Sequence, residues 1–128
     1  PNCVVYSGTH DNNTTVGWWH EETDDHVRNI IKDYIQCDVY EANWMLIRLG
    51  MASVAHTFIA PMQDILGLGK EARMNTPGQQ GGNWQWRLQA HDFDNPGKDR
   101  LAHFTWLYQR RPDQQERVYG DVAVNNGE

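Results

Sequence analysis

At 128 residues the chain has the length of one domain, and 39% hydrophobic content, a mean hydropathy of −0.76 and a formal net charge of −6 make it polar and acidic. No run approaches the ~18 apolar residues of a membrane span, so no membrane partner is expected. The eleven basic residues are scattered, with only Arg110 and Arg111 adjacent, so the clustered cations that neutralise phosphates are missing and no nucleic acid is expected.

In chain order, residues 3–7 read as a strand, apolar on both faces as inside a buried parallel sheet. The run Val4-Val5-Tyr6 ends abruptly in Ser7-Gly8-Thr9-His10-Asp11-Asn12-Asn13, which puts a His-Asp-Asn cluster on the loop at the strand's C-terminal end. In α/β sheets and barrels that end collects ligands and catalytic groups. Gly8 frees the backbone to turn there, and Asn12 and Asn13 suit left-handed conformations. Residues 8–22 show no period and read as loop. Val27, Ile30, Ile31, Tyr34 and Ile35 then recur at helical spacing, predicting a helix over 24–36 with Thr23 as N-cap. The acidic group Glu21, Glu22, Asp24 and Asp25 reads as its solvated start.

A second helix follows, with Asp38 and Glu41 spaced as a capping box and Trp44, Ile47, Met51 and Val54 on its apolar face. Gly50, Ala52 and Ser53 are small enough for close packing. Residues 56–60 form a second strand, which Pro61 terminates. Asp64 is placed to cap a short turn through Leu68, closed by Gly69. Residues 70–83 are a polar, glycine-rich loop. Residues 84–88 alternate Trp84, Trp86 and Leu88 with Gln85 and Arg87, which suits an extended segment with one aromatic face. Asn95-Pro96-Gly97 is a turn, and Leu101, Phe104, Leu107 and Tyr108 predict a third helix over 98–110. The remainder, 111–128, is polar and expected to fray.

Strand, helices, strand, helix is the alternation of an α/β fold. A complete (β/α)8 barrel needs roughly 250 residues, about twice this length. Cys3 and Cys37 are too few for a disulfide framework and are expected to be reduced and structural. The chain starts at Pro1 without a leader-like segment, which suggests an internal start.

Three blocks in this order carry a family resemblance: Tyr6 to Trp18; Ala60-Pro61-Met62-Gln63-Asp64-Ile65-Leu66-Gly67-Leu68-Gly69 with Glu71-Ala72-Arg73-Met74-Asn75; and Asn83-Trp84-Gln85-Trp86-Arg87. They resemble the 4-α-glucanotransferases of the α-amylase clan, called amylomaltase in bacteria and disproportionating enzyme in plants. Beyond Leu88 nothing comparable appears. The resemblance implies the C-terminal part of a catalytic (β/α)8 TIM barrel: residues 1–110 as its last two βα units, 111–128 as tail. It implies transfer of an α-1,4-glucan segment to the 4-hydroxyl of another glucan or glucose, with no cofactor and no metal. The compartment would be the bacterial cytoplasm, or the plastid in a plant.

The same resemblance assigns residues. Family members cleave with retention through an aspartate nucleophile and a glutamate acid/base. Such a pair flanks the bond about 5 Å apart. Neither has a match here. Asp11 matches a third carboxylate, which binds the hydroxyls of the sugar being cleaved and favours its oxocarbenium-like form. His10 matches the histidine on the same ring, and Asn75 an asparagine contacting the glucan. Asn12, Gln63 and Asp64 are further candidates for substrate contact, with turn formation and capping as the structural alternative for Gln63 and Asp64. Arg73 is expected to pair with a carboxylate and hold its loop. Trp84 and Trp86 are expected to pack rather than stack on sugar, and Trp44 to be core. Two rival readings remain: a metallophosphoesterase on Gly8-Thr9-His10-Asp11-Asn12, which needs further converging ligands, and a non-catalytic maltooligosaccharide-binding fragment.

Overall fold

The computed structural model describes residues 2–113. Two short strands, β1 (Val4–Tyr6) and β2 (Thr57–Ile59), pair in parallel, with Val5 opposite Phe58. A parallel pair cannot be joined by a tight turn. The crossover is made by three helices: α1 (Thr15–Glu21), α2 (Asp25–Ile35) and α3 (Ala42–Ala52). After β2 come α4 (Met62–Leu66), single 3-10 turns at Lys70–Ala72 and Ala90–Asp94, and α5 (Pro96–Leu107). The expected α/β alternation is present, and both strands point their C-terminal ends at one rim.

The core forms where α3 meets β2, α4 and α5. Trp44, Ile47 and Met51 are buried at successive turns of α3, and Phe58, Ala60, Ile65, Leu101, Phe104 and Tyr108 close over them. Gly50 is what lets α3 lie so close to the sheet: a Cβ there would stand 2.2 Å from Phe58 Cε2. Trp44 meets the edge of Phe104 at 5.7 Å, and the Arg100 guanidinium lies 4.6 Å from the Trp44 ring centroid. The end of α3 is completed from a distance: Arg110 donates to the carbonyls of Met51, Ser53 and Ala55. Orphan C-terminal carbonyls are thereby satisfied by a cation, the sign the helix dipole favours there.

Several expectations are corrected. The strands are not buried on both faces: Val5 and Phe58 are half-buried, while Val4, Tyr6 and Ile59 are exposed, because described helices cover one face only. The expected loop 8–22 contains α1, too short to show a period, with Thr14 Oγ1 accepting from Gly17 N. Asp24, not Thr23, caps α2, accepting from Val27 N at 2.8 Å; the Thr23 hydroxyl donates to Trp19 O instead. No residue of α2 is fully buried: Val27, Ile31 and Ile35 of its stripe are half-buried, while Ile30 and Tyr34 are exposed. The Asp38–Glu41 capping box does not form, because α3 begins only at Ala42, with Glu41 itself in the N-cap position and no side-chain cap bond; the two carboxylates pair with Lys32 and Arg100 instead. Val54 is exposed past the end of α3.

Asp64 lies inside α4 rather than capping it, and Gly67 at φ 68°, not Gly69, ends that helix. Asn95 caps α5 with Pro96 at its first turn, so that helix starts before residue 98; it ends at Leu107, short of 110. Trp84 at φ 61° interrupts the expected extended segment. Cys3 and Cys37 are free but exposed, not buried structural thiols. The tail beyond residue 113 lies outside the described residues.

Candidate active-site rim

The rim is built from the loop after β1 and the loop after α4. The first folds on its own side chains: Asn12 Oδ1 accepts from both Thr9 N (2.8 Å) and Thr9 Oγ1 (2.9 Å), and Asn12 N returns to Thr9 O. Short polar side chains that bond nearby backbone define such turns. Neither Asn12 nor Asn13 is at positive φ, and a Cβ on Gly8 would meet nothing closer than 3.7 Å, so the turn needs no left-handed residue. The outcome is a tip carrying His10 and Asp11, with side chains 57% and 50% exposed.

The second loop clasps this tip. Asn75 N donates to His10 O at 3.0 Å, and Asn75 Nδ2 donates to Asp11 Oδ1 at 2.6 Å. His10 Nε2 lies 3.4 Å from the same oxygen. Arg73 donates through Nη2 to Asp11 O (2.8 Å) and through Nε to Asn75 O (2.9 Å), with Nη1 3.9 Å from Glu22 Oε1. Trp84, held by a bond from its N–H to Met74 O, sets its ring 5.1 Å from the His10 ring. One Asp11 oxygen is thus held by the Asn75 amide with the imidazole beside it. The other meets no donor among the described residues.

Beneath the tip the rim is braced by a buried carboxylate. Asp64, 1% exposed, accepts from Thr15 N, Thr15 Oγ1 and Ser7 Oγ, each at 2.8 Å, tying β1, α1 and α4 together. Asn43 donates to the Asp64 carbonyl. Gln63, also buried, donates to Ala72 O. Gln63 and Asp64 thus support the rim through these bonds, as the structural alternative has it, and both also line the cavity beneath it. Asn12 lines a cavity of about 480 Å³ with Tyr6, His10, Gln63 and Arg73, although its oxygen is engaged by Thr9.

The acidic group around residues 21–25 is not simply solvated. Glu22 accepts from Asn13 Nδ2, and Glu21 pairs with Lys70, whose hydrogen bond to that carboxylate raises the ammonium pKa above its ordinary value. Among the described residues no three His, Cys, Asp or Glu side chains gather as a metal site.

Sequence reasoning brought His10, Asp11 and Asn75 together correctly and gave Arg73 its loop-holding place. It missed α1 and the donors to Asp64, and it expected Trp84 to pack elsewhere. Trp84 is 49% exposed beside His10; its presence in the Asn83-Trp84-Gln85-Trp86-Arg87 block was the available signal. The arrangement presents an open carboxylate edge beside an imidazole and an amide, suited to adjacent hydroxyl groups on a ring.

Comparison with known proteins agrees in kind. The model of the family described as 4-alpha-glucanotransferase matches residues 1–92. A 4-alpha-glucanotransferase of Synechocystis sp. is 48% identical over 111 residues, 86% of this chain and 22% of that protein. The chloroplastic/amyloplastic enzyme of Oryza sativa is 43% identical over 110 residues, 84% of this chain and 18% of that protein. The structure of amylomaltase from Streptococcus agalactiae in complex with acarbose superposes with a TM-score of 0.75 at 34% identity, covering 82% of this chain and 21% of that one. The chain thus spans about a fifth of the length of these relatives.

Proposed function

Because the chain belongs to the 4-alpha-glucanotransferase family, we propose that it forms the third-carboxylate side of the active site in a longer glucan-transferring enzyme. On this reading residues 1–110 are the last two βα units of a (β/α)8 barrel, and the parallel β1–β2 pair with its helical crossover supports that placement. Upstream strands supply the nucleophile and the acid/base of a retaining double displacement. The substrates are α-1,4-glucans, with glucose or a second glucan as acceptor. The compartment is the cytoplasm in a bacterium and the plastid in a plant, where the rice relative's name supports the latter.

The single observation that carries the reading is the Asp11 carboxylate. One oxygen is anchored by Asn75, with His10 Nε2 3.4 Å away; the other meets no donor among the described residues. A carboxylate fixed in advance, beside an imidazole, binds two hydroxyls of the ring at the scissile bond. It favours the flattened, positively charged transition state more than the ground state, which is how a binding group raises kcat. Asn75 adds an amide to the same ring.

The test is Asp11→Asn in the full-length polypeptide that carries this segment. The amide keeps shape and loses charge, so maltotriose disproportionation is expected to fall by at least about 10²–10³-fold, the range for losing one transition-state contact. Glucose release at the parent rate would overturn the assignment. Maltooligosaccharide binding by the parent without any turnover would favour the binding-only alternative.

A further inference from the structure

We infer that Arg73 is a positioning residue for the reaction, acting through Asp11 and Asn75 rather than on the glucan; the inference rests on the glucan-transfer reading above. Arg73 lines the rim cavity with its donors committed to the protein, reaching the backbone carbonyls of the two residues whose side chains meet at the candidate site: Nη2 to Asp11 O at 2.8 Å and Nε to Asn75 O at 2.9 Å. Among the described residues, Asp11 and Asn75 are otherwise linked by one direct bond, Asn75 Nδ2 to Asp11 Oδ1, with Asn75 N to the neighbouring His10 O beside it. Arg73 therefore closes a ring of contacts between loops 62 residues apart in sequence. Its third nitrogen is steadied by Glu22 at the end of α1, and Glu22 is held in turn by Asn13.

Only a planar fork with separate donors on one rigid group spans two carbonyls in this way. A lysine ammonium carries the same charge but is a single point on a flexible stem. What the fork fixes is the separation of the Asp11 carboxylate from the Asn75 amide. A misplacement on the order of 1 Å at such a site costs about 10²-fold in rate. Glucan units bound at remote positions do not feel this separation, so loss of the fork lowers kcat and leaves KM almost unchanged.

The experiment uses the full-length polypeptide with Arg73→Lys, Asp11→Asn and the double variant. For Arg73→Lys we expect kcat for maltotriose disproportionation to fall about 10–100-fold with KM within about twofold. If Arg73 acts through Asp11, the double variant is within about threefold of Asp11→Asn alone; fully multiplied losses, or an unchanged kcat in Arg73→Lys, overturn the inference. A lowered melting temperature at unchanged kcat overturns it too.

Should Arg73→Lys fail to fold, Glu22→Gln removes the charge steadying Nη1. The same kcat-selective loss, smaller in size, is then expected, and its absence is decisive against the inference. Hydrogen exchange at the Asn75 amide is read in parallel, with at least about a tenfold loss of protection expected in whichever variant folds. If the unsubstituted polypeptide transfers no glucan, it is the functional reading that has failed. The amide exchange then decides alone whether Arg73 sets the Asn75 position.

Discussion

Two carboxylates a strand-end apart show how environment sorts chemically identical side chains. Asp11 is half exposed, with one oxygen unengaged by protein among the described residues; Asp64 is buried and accepts three hydrogen bonds. Hydrogen bonds to a charged acceptor contribute about 1.5–3 kcal/mol each, and removing the acceptor leaves buried donors unsatisfied. Asp64→Ala is therefore expected to destabilise the full-length polypeptide by about 3 kcal/mol or more, less what the two hydroxyls recover by rotating to other acceptors. A thermal melt checks this: a drop of several degrees is expected, and an unchanged midpoint would show that the three bonds contribute nothing net. At this scale the sequence was legible for His10, Asp11 and Asn75, because one block carries each. For Arg73 and Trp84 it was legible only that they belong to those blocks, not that they border that tip. Their contacts join residues brought together by the chain's return path, which no local spacing records.

Among the elements, the face of α3 was read almost in full, since Trp44, Ile47 and Met51 mark one helical face over about two turns. Its cap was misread for a physical reason. The box spacing needs Asp38 as N-cap, but the helix begins at Ala42 with Glu41 in that position, and the Glu41 carboxylate pairs with Arg100 from a helix far along the chain. The seven-residue α1 escaped for another reason: it is too short to display a period and is held by Thr14 and by Asp64. Gly50 tests the α3–β2 contact directly. Alanine improves helix propensity by about 1 kcal/mol, yet its Cβ would stand 2.2 Å from the Phe58 ring, and overpacking of that kind costs about 1–3 kcal/mol. The difference is a net loss, so Gly50→Ala is expected to destabilise by up to about 2 kcal/mol, less once partial relaxation is allowed. Adding Phe58→Leu should restore part of the loss, as followed by the melting temperature of both variants. If Gly50→Ala instead raises that temperature, the ring yields more easily than the contact implies.

The exposed surface of the whole molecule reads like the inside of something larger. Val4, Tyr6 and Ile59 stand exposed on one face of the sheet, and Ile30 and Tyr34 on the uncovered face of α2. Two parallel strands do not form an independently stable sheet in water, and three buried side chains on α3 are a small core against about 1–2 kcal/mol of backbone entropy per ordered residue. The chain covers about a fifth of its relatives, in which the remaining residues are available to cover these faces. The isolated 128-residue chain is therefore expected to melt without a cooperative transition, while binding a hydrophobic dye at low temperature. Glucose release from maltotriose by the isolated chain is expected to be nil, because on the proposed reading Asp11 only binds the ring and the nucleophile lies upstream of this chain. A sharp calorimetric transition would show that the α3–α5 core suffices alone and that the apolar faces serve another partner. A sharp transition together with glucose release would go further: the missing nucleophile and acid/base would have to lie within this chain, and the place of Asp11 as third carboxylate would fall.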